Sequence, residues 1–313
     1  MPKVAVVGAG QVGSTTAMRL AERGVSDVAL IDAQGELALG KALDIGQSLA
    51  LASSGVEITG GGEYRLAEGC EVAVITAGYP RKPGMSRHDL LRENAAVVKE
   101  VVASLAEVAP DCVLLLVTNP LDEMSYLAWR ITGWDRRRIM GMAGMLDGAR
   151  YAYFIAREMG ISPNQVRATV LGSHGDAMLP LARFTTVGGE PVAEKLGEEK
   201  LKELAERTKA GGAEIVSLLK SGSAYFAPSA CVAAMVEAVL EDRDLQVTAS
   251  VLLRGEYGLE EVFLGVPVIL GAGGWKRVVE LPLIPPEMEA LRACAGMIRE
   301  KLVELDEWLE GSG

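Results

Sequence analysis

Short runs of Val, Ile, Leu and Ala recur through the first half of the chain, at Val4–Val7, Val28–Ile31, Val72–Ile75 and Val113–Val117. None alternates with polar positions, so each is expected as a strand covered on both faces, as in a parallel sheet. Between these runs the apolar positions fall at helical spacing. Leu90, Leu91, Val97, Val98, Val101, Val102 and Leu105 define one face of a helix over Leu90–Leu105. Strand and helix in alternation predict an α/β doubly wound sheet.

The second half has a different rhythm. Met145–Met159, Glu198–Leu219 and Ala230–Glu241 have helical patterns, and Gln165–Leu171 has that of a strand. Two further strand runs, Leu245–Leu253 and Val262–Leu270, are joined by a short polar connection, which predicts antiparallel pairing; a closing helix follows Pro285 and Pro286. This half is expected to be α+β. The change of pattern divides the chain into 1–144, a cofactor-binding domain, and 145–313, a substrate-binding and catalytic domain.

The segment VAVVGAGQVGSTTA places Gly8, Gly10 and Gly13, with Ala9, Gln11 and Val12 between them, directly after the first strand run. The first glycine suits a tight turn, the second lets backbone approach a pyrophosphate, and the third lets the following helix pack on the sheet. Such a triplet is a weak signal in a chain with 36 glycines. Its context makes it specific, because the next strand run ends at Asp32, about 20 residues beyond Gly13, where a carboxylate meets ribose hydroxyls. Asp32 would repel a 2′-phosphate, so NAD is expected rather than NADP. The Rossmann form of the sheet also predicts that the strand ends Thr76, Ala77, Gly78 and Val117, Thr118, Asn119 line the cofactor cleft.

The chain has two histidines, which narrows the choice of an acid/base acting near neutral pH. His174 lies in LGSHGD between Gly172 and Gly175, a sharp turn able to present a side chain at a cleft. His88 lies in a polar stretch and is read as a solvated residue at a helix start. Asp147 and Arg150 share one face of a helix start in LDGAR, as a local ion pair or as functional groups. The loop AGYPRKPGMSR carries Arg81, Lys82 and Arg87 with two prolines and a glycine, a composition that fits a basic solvated loop or a swinging lid that captures carboxylates.

The net charge of −11 disfavours binding to nucleic acid or anionic membrane, so an anionic substrate needs a local arginine cluster. Cys70, Cys112, Cys231 and Cys294 are scattered, with no metal-knuckle or CxxC spacing, and no metal site is expected. Scattered thiols and the absence of a signal-peptide or membrane-spanning pattern lead to an expectation of a cytoplasmic protein.

Taken in order, GAGQVG, Asp32, TAG, RKPGMSR, VTNP, LDGAR and GSHGD closely resemble the lactate/malate dehydrogenase superfamily over nearly the whole chain. Within it the RKPGM segment resembles malate dehydrogenases, and LDGAR with the overall pattern resembles their lactate-dehydrogenase-like bacterial branch. The resemblance implies NAD-dependent oxidation of malate to oxaloacetate, with His174 as proton acceptor held by Asp147. It implies that Arg150 grips the C1 carboxylate, Arg87 polarises the carbonyl, Arg81 meets the second carboxylate, Asn119 touches nicotinamide and substrate, and Asn94 lies near the cofactor. It also implies a homodimer or homotetramer, for which an apolar helix over Ala38–Leu51 could supply the contact. Two features are distinctive: Ser173 stands where lactate dehydrogenases commonly have Glu, and Gly222-Ser223-Ala224 is expected in the pocket wall. The alternatives are a lactate or broad 2-hydroxyacid dehydrogenase, a non-catalytic NAD-binding module, and an NAD-dependent glycosidase, which would call for a metal and a cysteine ligand.

Overall fold

The computed structural model describes residues 1–52, 54–80, 87–175 and 177–311, with Arg87 described by its backbone alone. The apolar runs form strands with no exposed face. β1 (Lys3–Val7), α1 (Gln11–Glu22), β2 (Asp27–Ile31), α2 (Gly35–Ala52), β3 (Ile58–Gly61), β4 (Val72–Ile75), α3 (Arg87–Val108), β5 (Val113–Leu116), α4 (Leu121–Thr132) and β6 (Ile139–Gly141) follow in order. Every residue of β4 and β5 is buried. Burying Leu114, Leu115 and Leu116 stabilises the fold by roughly 1.5–3 kcal/mol per side chain.

The second half supplies α5 (Gly144–Met159), β7 (Val166–Arg167), β8 (Val170–Leu171), β9 (Leu179–Pro180), β10 (Thr186–Val187), β11 (Glu190–Pro191), α6 (Glu198–Leu219) and α7 (Phe226–Leu240). It closes with β12 (Leu245–Arg254), β13 (Glu260–Gly271), β14 (Gly274–Val278) and α8 (Pro285–Gly311). β12 and β13 pair antiparallel, as their short polar connection predicts.

One nine-stranded sheet runs β3-β2-β1-β4-β5-β6-β12-β13-β14. The first six strands are parallel, with the order reversing at β1 and β4, so a crevice opens beyond their carboxyl ends. The last three join antiparallel, with Ser250 of β12 opposite Gly141 of β6. The sheet therefore passes without a break from one half of the chain to the other. Gly141 permits this close approach, since a Cβ there would lie 2.8 Å from Ser125 Oγ and 3.1 Å from Ser250 Cβ.

The expected single strand over Gln165–Leu171 is instead two, with Gln165 in a 3-10 turn. The strand breaks where Thr169 turns to another segment: its N–H donates to Thr185 Oγ1 at 3.2 Å and its hydroxyl to the Phe184 carbonyl at 2.9 Å. β7 then pairs with β10, and β8 with β9. The helix expected at Ala230–Glu241 begins earlier, at Phe226.

The turn after β8 is fastened to the main sheet by Gly172 and Gly265, which exchange backbone hydrogen bonds of 2.9 and 3.1 Å. A Cβ on Gly265 would stand 2.5 Å from the Gly172 carbonyl oxygen. Gly265→Ala is therefore expected to cost about 1–3 kcal/mol of stability through forced backbone displacement, read as a lowered melting temperature.

Candidate active site

The cofactor cleft is built by close backbone approach. Gly8 has φ +106°, and a Cβ on Gly13 would overlap the Gly8 carbonyl oxygen at 1.8 Å. These two positions need glycine for α1 to start where it does. Gly10, by contrast, has nothing within 4 Å of where its Cβ would stand, which leaves an open cradle at the N-terminus of α1. No side chain caps that terminus and its first turn, starting at Gln11 and Val12, holds no acidic residue. Backbone N–H groups and the helix dipole therefore face the opening, an arrangement that fits a pyrophosphate.

Asp32 stands at the end of β2, where its carboxylate accepts the Ala9 N–H at 2.6 Å and the Gln34 N–H at 2.9 Å. Lys41 of α2 donates to the Ala9 carbonyl at 2.6 Å. The peptide units on both sides of Ala9 are thus held between a carboxylate and an ammonium. Lys41 gave no sequence signal, because nothing in its spacing relates it to the glycine turn.

The other strand ends are tied into the same rim. The Thr76 hydroxyl donates to the Gly8 carbonyl at 2.9 Å, and the Thr118 hydroxyl to the Ala77 carbonyl at 2.7 Å. Gly78 has φ +152°, and a Cβ there would crowd Thr118 Cγ2 at 2.6 Å. Val117 is hydrogen-bonded to Ile75 in the ladder, and Asn119 is exposed just beyond it. Asn94 is buried and uses its amide on backbone. It accepts the Tyr79 N–H and donates to the carbonyls of Tyr79 and Asn119, clasping the ends of β4 and β5.

The acid/base group is assembled from segments far apart in sequence. Asp147, in the first turn of α5, is 1% exposed and uses both oxygens. Oδ2 lies 2.9 Å from His174 Nδ1, and Oδ1 accepts from Arg150 Nη1 at 3.1 Å. Asp147 and Arg150 thus form the local pair that their spacing predicts, and the same carboxylate also orients the imidazole. With Nδ1 facing a carboxylate, Nδ1 carries a proton and Nε2 is left to exchange one. Burial works against a charged imidazole at His174, but the charge and hydrogen bond of Asp147, opposed by Arg150 and aided by Asp122, hold its pKa above 6.5.

The Arg150 side chain lies along Gly211 and Gly212 of α6, where added Cβ atoms would stand in ordinary contact, 3.4 Å from its Cδ and 3.6 Å from its Nη2. His88 is exposed at the start of α3 and pairs with Glu304, in keeping with a solvated residue there. Arg81, Lys82 and the rest of 81–86, with the Arg87 side chain, lie outside the described residues. Gly222-Ser223-Ala224 form the link between α6 and α7, where Gly222 has φ +84°.

A dinucleotide cradle joined to an imidazole–carboxylate pair defines an NAD-dependent oxidoreductase. Residues 2–141 match the lactate/malate dehydrogenase NAD-binding domain, and residues 144–307 match the lactate/malate dehydrogenase alpha/beta C-terminal domain. The chain belongs to the lactate/malate dehydrogenase family. It is 45% identical to a malate dehydrogenase of Roseiflexus castenholzii over 97% of this chain and 98% of that one. Its fold is similar to that of malate dehydrogenase from Picrophilus torridus (TM-score 0.96, 35% identity, 100% of this chain and 99% of that one). It is also similar to lactate dehydrogenase from Cryptosporidium parvum complexed with lactic acid and nicotinamide adenine dinucleotide (TM-score 0.94, 33% identity, 97% and 98% covered).

Asp147→Asn removes the charge that orients Nδ1 and steadies the imidazolium. It is expected to lower kcat by roughly 10²–10⁴-fold and to move the His174 midpoint to lower pH, both read from rate–pH profiles in the oxidative and reductive directions.

Proposed function

We propose that this chain is a malate dehydrogenase that interconverts (S)-malate and oxaloacetate, with residues 1–144 holding NAD and 145–313 supplying the substrate-binding and acid/base groups. The observation that carries the reading is Asp147 joining an imidazole and a guanidinium in one buried array. Arg150 takes the C1 carboxylate in a two-pronged pair. Neutral His174 accepts the hydroxyl proton at Nε2, and Asp147 steadies the imidazolium that forms. When bound, the nicotinamide takes up the hydride released from C2.

In the same reading Asp32 holds the adenosine ribose. The turn of Gly8, Ala9, Gly10, Gln11, Val12 and Gly13 faces the pyrophosphate, and Thr76, Ala77, Gly78, Val117 and Thr118 shape the wall. Asn94 acts on the cofactor indirectly, through the backbone that it clasps. Asn119 reaches toward nicotinamide and substrate. Arg87 polarises the reacting carbonyl, and Arg81 pairs with the second carboxylate.

Malate dehydrogenases among the relatives support the dicarboxylate over lactate. Exposed Leu37, Leu39, Leu43 and Leu51 on α2 support a homo-oligomer. Four buried cysteines without disulfides support a reducing compartment such as the cytoplasm. Among the described residues no helix is long and apolar enough to cross a membrane.

Two experiments test the assignment. Oxidation needs His174 neutral and reduction needs it protonated. With its pKa held above 6.5, malate oxidation should rise and oxaloacetate reduction should fall as pH passes through that higher value. Parallel profiles in the two directions would contradict the role of His174. Arg81→Gln should lower the oxaloacetate-over-pyruvate ratio of kcat/KM by roughly 100-fold or more, because a site built for a charged partner discriminates by up to about 10⁴. An unchanged ratio would refute the part given to Arg81.

A further inference from the structure

A second carboxylate stands behind the catalytic turn. Asp122, in the first turn of α4, is 1% exposed. Its Oδ1 accepts the Ser250 hydroxyl at 2.6 Å, and its Oδ2 lies 3.4 Å from the backbone nitrogen of His174. We propose that Asp122 is a positioning residue for proton transfer, holding the 173–174 turn from below and adding a negative charge that favours protonated His174. This inference rests on the reading of His174 as the acid/base group.

The fold places Asp122 there for a specific reason. α4 starts at Leu121, beyond the carboxyl end of β5, and so puts Asp122 three residues after Asn119, while β12 lies beside β6 because Gly141 allows it. A buried carboxylate is costly unless it is hydrogen-bonded. Ser250 and the 173–174 turn meet that need, and in doing so they link the nicotinamide side of the cleft to the acid/base side.

Burial and the neighbouring Glu123 push the Asp122 carboxyl up to about 6, against the lowering effect of its bond to Ser250 and of His174. It therefore changes charge at lower pH than His174, whose pKa is raised. The other groups around it are accounted for. Glu123 pairs with Lys301 of α8, and Asp147 with Arg150 on α5. Cys294 of α8 gives its thiol hydrogen bond to the Ala177 carbonyl. His88 and Arg92 of α3 pair with Glu304, and Arg130 of α4 pairs with Asp306.

The test uses the full chain carrying Asp122→Asn or Ser250→Ala, with melting curves and NADH fluorescence titration as controls. Asp122→Asn removes a charge that favours imidazolium. The limbs of both rate–pH profiles should therefore move to lower pH by roughly half a unit or more, with NADH affinity within about 2-fold of wild type. Ser250→Ala keeps the carboxylate but removes a bond that lowers its pKa. It should shift the limbs in the same direction by less. Folded Asp122→Asn enzyme with superimposable profiles would overturn the proposal. Should that variant fail to fold, an unmoved profile in Ser250→Ala would overturn it instead. A His174→Asn enzyme that still reduces oxaloacetate at the wild-type rate would contradict the acid/base role of His174, a separate outcome.

Discussion

The buried carboxylate of Asp147 is the point on which the chemistry of this molecule turns. One oxygen faces an imidazole and the other a guanidinium. A single side chain thereby orients the His174 ring and fixes the place of Arg150. In the low-dielectric interior such a shared charge is stronger than in water, and it would be costly if either partner were lost. The separation of the His174 imidazole from the Arg150 guanidinium is therefore set by the two oxygens of one carboxylate and by the single helical turn between Asp147 and Arg150.

That arrangement needs α5 to approach the sheet closely, and glycines allow it. A Cβ on Gly144 would strike Thr248 Cγ2 at 2.3 Å and the Val170 carbonyl at 2.6 Å. The facing turn is fixed by the Gly172–Gly265 pairing. On the cofactor side the same economy of space holds Gly13 against Gly8 and Gly78 against Thr118. The active site is thus positioned mainly by backbone contacts within one continuous sheet, with side-chain hydrogen bonds from Thr76, Thr118 and Asn94 fastening the strand ends.

How much of this could be read from the sequence depended on distance along the chain. The parallel strands, the glycine turn and Asp32 were legible because their physics is local: buried runs, a tight turn, and a fixed strand-to-strand spacing. The pairing of β12 with β13 was legible from their short connection. The partnership of His174 with Asp147 spans 27 residues and was suggested by resemblance, since no periodicity relates the two. Asp122 and Ser250, 128 residues apart, gave no signal, because only the junction of β6 with β12 brings them together. Lys41 was silent because nothing in its spacing relates it to Ala9, 32 residues earlier, whose carbonyl it meets. The break between Arg167 and Val170 was missed because Thr169 is β-branched and suits a strand, until its hydroxyl finds the Phe184 carbonyl.

With two histidines in the chain, the Asp147–His174 contact can be observed directly by long-range ¹H–¹⁵N correlation spectra recorded across pH, with a His88 variant giving the assignment. The result expected is an imidazole at 174 that keeps its proton on Nδ1 throughout and titrates only at Nε2, with a midpoint above 6.5. A neutral form protonated on Nε2, or a midpoint below 6.5, would show that the carboxylate at 147 does not hold the ring, and the central claim would fail.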